Sequence, residues 1–176
     1  IFASAGDDFI ELDGHPDGAL IDGGTGIDTL DLSRLSTGAN INLSDGVVDV
    51  SGFVSQFTEV EVIIGSSHAD TIQGTSISDT LIGGDGSDLI SGGLGSDTII
   101  GGQGNDLLLG GDGDDLFIGS DGDNTISGGG GSDTIKFEKN LSEFSISLNL
   151  DQSISVTDAS QNSGSTILTE VEFLEF

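Results

Sequence analysis

The chain has 176 residues, with 31 Asp and Glu against three Lys and Arg, a formal net charge of −28 and no Cys. A surplus of that size repels nucleic acid, anionic polysaccharide and anionic membrane surfaces, and it opposes compaction unless cations are recruited. The missing Cys excludes disulfides and thiolate metal sites, and no apolar run approaches the roughly 20 residues of a membrane-spanning helix.

Residues 1–31 hold fragments of a nine-residue phrase. ASAGDDFIE (3–11) carries Gly6, Asp8 and Ile10. GHPDGALID (14–22) keeps an apolar residue at its eighth place, Ile21, but has Ala19 at the sixth. GGTGIDTLD (23–31) is complete, with Asp28 sixth and Leu30 eighth. Residues 32–64 leave the phrase. ANINLSDGVVDV and FVSQFTEVEVIIG alternate or run apolar with β-branched residues, which predicts strands.

From Gly65 to Lys136 the phrase is continuous: GSSHADTIQ, GTSISDTLI, GGDGSDLIS, GGLGSDTII, GGQGNDLLL, GGDGDDLFI, GSDGDNTIS and GGGGSDTIK. The sixth position is Asp70, Asp79, Asp88, Asp97, Asp106, Asp115, Asn124 and Asp133. The eighth is apolar in every unit: Ile72, Leu81, Ile90, Ile99, Leu108, Phe117, Ile126 and Ile135. At the composition of this chain that agreement has a chance of about 2 in 10,000. A flexible Gly/Ser linker has no reason to hold an apolar residue in register. An EF-hand is excluded as well, since no Glu lies between Glu61 and Glu138 to close a loop and no helical periodicity flanks one.

Physically, the end of each unit predicts a very short strand, with the eighth side chain on one face and the seventh and ninth on the other. The first six residues turn the chain, using glycine for positive φ. Two units make a coil, coils stack at about 4.8 Å, and the eighth-position residues form a thin core. Stacking sets each sixth-position Asp over the one two units on. Carboxylates so close repel unless a cation lies between them. A hard cation that accepts six to eight irregularly placed oxygens, including turn carbonyls, points to calcium before magnesium.

The pattern GGxGxDxUx, with U apolar, resembles the calcium-binding nonapeptide of the RTX (repeats-in-toxin) family, and over Gly83–Ile118 the likeness is nearly letter for letter. The resemblance implies a parallel β-roll, calcium as cofactor, type I secretion, and folding outside the cell. VEVIIGSSHADTI is similar to the segment that leads into a fresh block of such units. GSSHADTIQ and GTSISDTLI depart from the pattern: they lack the second Gly and carry His68 and Ile77 fourth. Looser calcium binding is expected there, and Asn124 brings an oxygen without a charge. His15 and His68 read as surface turn residues, too few and too isolated for zinc.

Residues 137–176 change period from nine to two. Phe144, Ile146, Leu148, Leu150, Ile154 and Val156 share one side of a hairpin about a polar turn at Asp151–Ser153, and Val171, Phe173 and Leu174 or Phe176 extend it. A solenoid needs a lid on its cut core, and this segment is expected to supply one. No HExxH, GxSxG or Cys signals catalysis.

The sequence therefore predicts an all-β, right-handed parallel β-roll with flanking β segments. Its parts are partial repeats at 1–31, a β insert at 32–64, the eight-unit array at 65–136 and a capping segment at 137–176. It is expected to be a non-enzymatic, secreted or cell-surface calcium module of a bacterial protein, and, since it begins at Ile1, a piece of a larger polypeptide. About six ions are expected in the array, at the pairs 70/88, 79/97, 88/106, 97/115, 106/124 and 115/133, with Asp8 and Asp28 forming another. Partners other than calcium are a cell-surface or protein ligand at most. The alternative is an adhesin scaffold, or less readily an ice-binding one using Thr80, Thr98 and Thr134. The outward Leu89, Leu107, Leu109, Ile82, Ile100, Leu116 and Ile118 would serve that alternative, unless the flanking segments cover them.

Overall fold

The computed structural model describes residues 1–14, 18–119, 121–137, 139–159 and 164–176. Glycines and aspartates at short intervals break the chain before any strand grows long. The N-terminal repeats give β1 (Phe9–Glu11), β2 (Leu20–Asp22) and β3 (Thr29–Asp31). An antiparallel meander comes next, β4 (Asn40–Asn42), β5 (Val47–Val50) and β6 (Phe53–Thr58), and then β7 (Val62–Ile64). The array gives β8 (Thr71–Gln73), β9 (Thr80–Asp85), β10 (Leu89–Leu94), β11 (Thr98–Gln103), β12 (Leu107–Asp112), β13 (Leu116–Ile118), β14 (Thr125–Gly130) and β15 (Thr134–Lys136). After a 3₁₀ turn at Leu141–Glu143 come β16 (Phe144–Leu148), β17 (Ile154–Asp158), β18 (Ser165–Thr169) and β19 (Phe173–Glu175). Among the described residues there is no α-helix, and no helix long and apolar enough to cross a membrane.

Odd and even units fall on opposite sheets. One sheet has eight strands in the order β1-β3-β7-β9-β11-β13-β15-β19, all parallel. The other has eleven: β16-β17-β18-β14-β12-β10-β8-β4-β5-β6-β2. Within the array every strand pairs with the strand 18 residues away, as in Ile72↔Ile90↔Leu108↔Ile126 and Leu81↔Ile99↔Phe117↔Ile135. All eight eighth-position side chains are 0–2 % exposed, so the two columns meet as the core of a parallel β-roll.

The ladder runs further than the sequence reading allows. In β9 to β12 and in β14 it continues through both glycines, pairing Gly93 with Gly111 and Gly102 with Gly84. The bend is left to the fourth to sixth residues. Glycine is needed for closeness as much as for its dihedrals: a Cβ on Gly104, at φ +128°, would land on the Gly86 carbonyl of the coil before.

The flanking segments lengthen the sheets along the roll axis and cover the outer faces only in part. Leu89 and Leu107 remain open, at 39 % and 41 % exposure, while Ile82, Leu109, Ile100, Leu116 and Ile118 are half-buried. Ile100 and Ile118 share a cavity of about 460 Å³ with Phe137, Phe144 and Val156. The last strand is not an extension of the hairpin: β19 lies on the opposite sheet, with Leu174 paired to Ile135 and Phe173 outside. Thr80, Thr98, Leu116 and Thr134 form one ladder, so Leu116 interrupts the threonine row.

Candidate metal centres

Each turn ends in a sixth-position side chain folded back into the roll. Asp70, Asp79, Asp88, Asp97, Asp106, Asp115, Asn124 and Asp133 are all 0–3 % exposed, as is Asp28. The columns are stitched by one repeated bond, in which the backbone N–H of each residue donates to Oδ1 of the residue 18 positions on. Asp70 donates to Asp88 and Asp79 to Asp97 at 2.8 Å, Asp88 to Asp106 at 3.0 Å, Asp97 to Asp115 and Asp106 to Asn124 at 2.8 Å, and Asp115 to Asp133 at 2.9 Å. The N-terminal repeats repeat the bond, with Asp8 donating to Asp28 at 2.8 Å, although Asp8 itself is half-buried.

The second carboxylate oxygen separates the units. Oδ2 of Asp28, Asp88, Asp97, Asp106, Asp115 and Asp133 is buried without a hydrogen-bond partner. In the first coil of the array it is satisfied. Oδ2 of Asp70 accepts the N–H and hydroxyl of Ser66 at 2.6 and 3.0 Å, and Oδ2 of Asp79 accepts those of Thr75 at 2.7 and 2.8 Å. Ser66 and Thr75 occupy the place of the second Gly. Asp79 keeps an orphan at Oδ1 instead, and Asp70 has none, because its Oδ1 accepts the Ala39 N–H at 2.6 Å.

Beside the orphans of Asp28, Asp88, Asp97, Asp115 and Asp133 lies a cradle that glycine leaves open. A Cβ on Gly83 would meet Asp88 Oδ2 and the Gly101 carbonyl oxygen of the next coil. Gly92 stands in the same way between Asp97 and Gly110, Gly110 between Asp115 and Gly128, and Gly128 between Asp133 and Glu170. Carboxylate and carbonyl oxygens from neighbouring coils thus converge without help from His or Cys. Among the described residues no three acidic or His side chains gather at one point. A cation held here takes much of its shell from backbone carbonyls, as a hard ion such as calcium does.

Burial without compensation shows in the acidities. Desolvation pushes Asp88 up to about 7 and Asp97 to about 6, against the partial relief of the N–H bonds, and neighbouring carboxylates add to the rise. Asp70, Asp79, Asp106, Asp115 and Asp133 are raised for the same first reason. A buried anion with one unfilled lone-pair site is costly until a proton or a metal fills it.

Two participants escaped the sequence reading. Glu61 Oε2 accepts the Asp28 N–H at 3.0 Å, and Glu172 Oε2 accepts the Asp133 N–H at 2.7 Å. Each puts a longer carboxylate where the next Asp would stand, Glu61 between Asp28 and Asp79 in the strand order and Glu172 beyond Asp133 at the end of the column. Their signal was present: Thr-Glu-Val-Glu occurs at 58–61 and again at 169–172. In both copies the first Glu is left-handed, at φ 53° for Glu59 and 52° for Glu170. His68 is exposed, as expected of a turn residue, and His15 lies outside the described residues.

The fold and these turns define a class: a parallel β-roll whose stacked bends gather buried carboxylate and carbonyl oxygens. Residues 64–99 and 100–135 each match the family model described as RTX calcium-binding nonapeptide repeat (4 copies). The array of this chain belongs to that family of calcium-binding repeats. The comparison with curated proteins found no match.

Proposed function

We propose that this chain is a calcium-dependent folding and structural module of a secreted bacterial protein, disordered without calcium and set into its roll by the ion outside the cell. The observation that carries the reading is the set of six buried, unpartnered Oδ2 atoms in a chain of net charge −28. Asp28, Asp88, Asp97, Asp106, Asp115 and Asp133 would each give that oxygen to calcium, together with carbonyls of the adjacent coil. Asp8, Asp70 and Asp79 then serve chiefly through the N–H bonds that orient the next ligand, and Asn124 by accepting the Asp106 N–H. Bound calcium supplies the positive charge that lets stacked carboxylates stay ionised inside the roll. Site formation and folding are then one event, as in other ion-dependent domains. Secretion is typical of RTX proteins, and extracellular calcium modules bind at about 0.1–1 mM.

The test is circular dichroism and bound-ion analysis during a calcium titration. Strand signal should appear together with about six bound ions. A compact, strand-rich chain in excess chelator at neutral pH would refute the reading. A second reading, a scaffold for adhesion, rests on Leu89 and Leu107, which are exposed neighbours in one ladder. Replacing both with Ser should abolish surface attachment without moving the calcium midpoint.

A further inference from the structure

The two Thr-Glu-Val-Glu segments sit in the same architecture twice. Ahead of the first, β4, β5 and β6 form an antiparallel meander whose last strand lies parallel on β2, with Phe57 opposite Ile21. Ahead of the second, β16, β17 and β18 do the same on β14, with Leu168 opposite Ile126. The inward residues correspond across the meander: Ile41, Val48 and Ser55 in the first, Ile146, Val156 and Thr166 in the second. After the turn, β7 lies on β3 with Ile63 opposite Leu30, and β19 lies on β15 with Leu174 opposite Ile135.

The outer edges of the two copies differ. The free side of β4 takes β8 and that of β7 takes β9, both in parallel, so that Ile41 faces Ile72 and Ile63 faces Leu81. Ile41 and Ile63 are consequently 2 % and 0 % exposed. The matching strands β16 and β19 are the terminal strands of their sheets. Ile146 is 44 % exposed and Leu148 75 %, on a strand of alternating apolar residues.

We propose that the β16/β19 end is an acceptor end. It takes the first coil of a further nonapeptide roll, one strand on each edge, as β4 and β7 take the coil 65–82. That coil shows what the occupant needs: turns whose Oδ2 atoms are already satisfied by a neighbouring N–H and hydroxyl, as Asp70 is by Ser66 and Asp79 by Thr75, so that it can seat before calcium is bound above it. One corner is altered. Gly38, on which a Cβ would strike the Ala69 carbonyl, corresponds to Glu143, so the incoming turn stands further out there.

Residues 1–175 followed by a second copy of 65–176, so that Gly65 follows Glu175 as it follows Ile64, test this against the full chain alone. Amide exchange is measured in β16 and β19 in saturating calcium. In the tandem chain, outward-facing N–H groups of β16 should gain at least about 100-fold protection, and both rolls should melt as one. Ile146→Lys should abolish both effects in the tandem chain while shifting the calcium midpoint of the single chain less than about twofold, because Ile146 is open there. Glu143→Gly should increase the protection. Unchanged β16 exchange, with dichroism showing both rolls folded, would overturn the proposal. Concentration-dependent β16 protection in the single chain would also overturn it, by assigning the edge to a second copy. A wrong calcium reading would show separately, as calcium-independent folding of either chain.

Discussion

Phe117 is fully buried, the one aromatic among the eighth-position residues of the array, and it is stacked in register between Ile99 and Ile135. Phe117→Ala should remove about 3–5 kcal/mol of stability, the usual range for truncating a ring in a core that cannot collapse. Linkage sets the consequence for calcium. Where folding takes up n ions, each tenfold rise in calcium adds about 1.4n kcal/mol to the folded state. Six ions give about 8 kcal/mol per decade, so a loss of 3–5 kcal/mol is offset by only about two- to fourfold more calcium. A single coupled ion would demand an increase of about 150-fold to several thousandfold. The loss itself is measured by urea unfolding in saturating calcium, and the midpoint by dichroism against free calcium. A midpoint that moved more than about 30-fold would mean that no more than about two ions are taken up on folding, and the assignment of six orphan oxygens to six ions would fail.

Asp97→Asn should keep the Asp79 N–H bond, as Asn124 does for Asp106, yet lower the bound-ion count and the calcium-dependent gain in stability. An unchanged ion count would refute the ligand role. Ile99→Asp buries a charge at a fully covered core position and should cost several kcal/mol that saturating calcium does not restore. Acidity should act in opposite directions with and without the metal. Because burial raises Asp88 to about 7 and Asp97 to about 6, the metal-free fold binds protons that the unfolded chain has released. Its stability is therefore greatest below the ordinary Asp range and is lost as pH rises through about 6–7. In chelator, compactness by small-angle scattering should be greater at about pH 5 than at pH 8, whereas in calcium the order should reverse; the same trend in both would contradict the burial argument. A chain ending at Lys136 lacks β18 and β19, which cover Ile126 and Ile135, and should stay unfolded at calcium levels that fold the full chain; an unchanged midpoint would show that this end needs no cover.

The roll itself was legible because its information is local. A nine-residue period, an Asp and an apolar residue two places later fix turn, carboxylate column and core within a window shorter than one coil. What escaped depends on distance. Glu61 and Glu172 lie 111 positions apart and belong to a phrase with no glycine, so no nonapeptide template detects them. Only the fold reveals that a Glu can reach an N–H otherwise taken by Asp. Likewise, the choice of Leu174 over Phe173 as the inward residue is made by register against Ile135, a partner across the chain. The long ladder through the glycines is a third case. Glycine reads locally as a turn former, and here the approach of a neighbouring backbone holds it in the sheet.

The stacked sixth-position residues also act together along the whole roll. Apart from Asn124, each coil of the array puts one carboxylate on each edge, Asp70, Asp88 and Asp106 on one and Asp79, Asp97, Asp115 and Asp133 on the other. At a coil rise of about 4.8 Å, that is one ionised group per about 2.4 Å of axis. Two unit charges in water interact with the thermal energy at about 7 Å. Charges spaced more closely than that along a line gather a condensed atmosphere of counterions, as duplex DNA does at about 1.7 Å per charge. A chain closing into the roll thus becomes a polyelectrolyte rod, whose line charge rises as coils stack and draws divalent ions in together with folding. Monovalent salt, by diluting that atmosphere, raises the calcium concentration at which the rod can close on its ions.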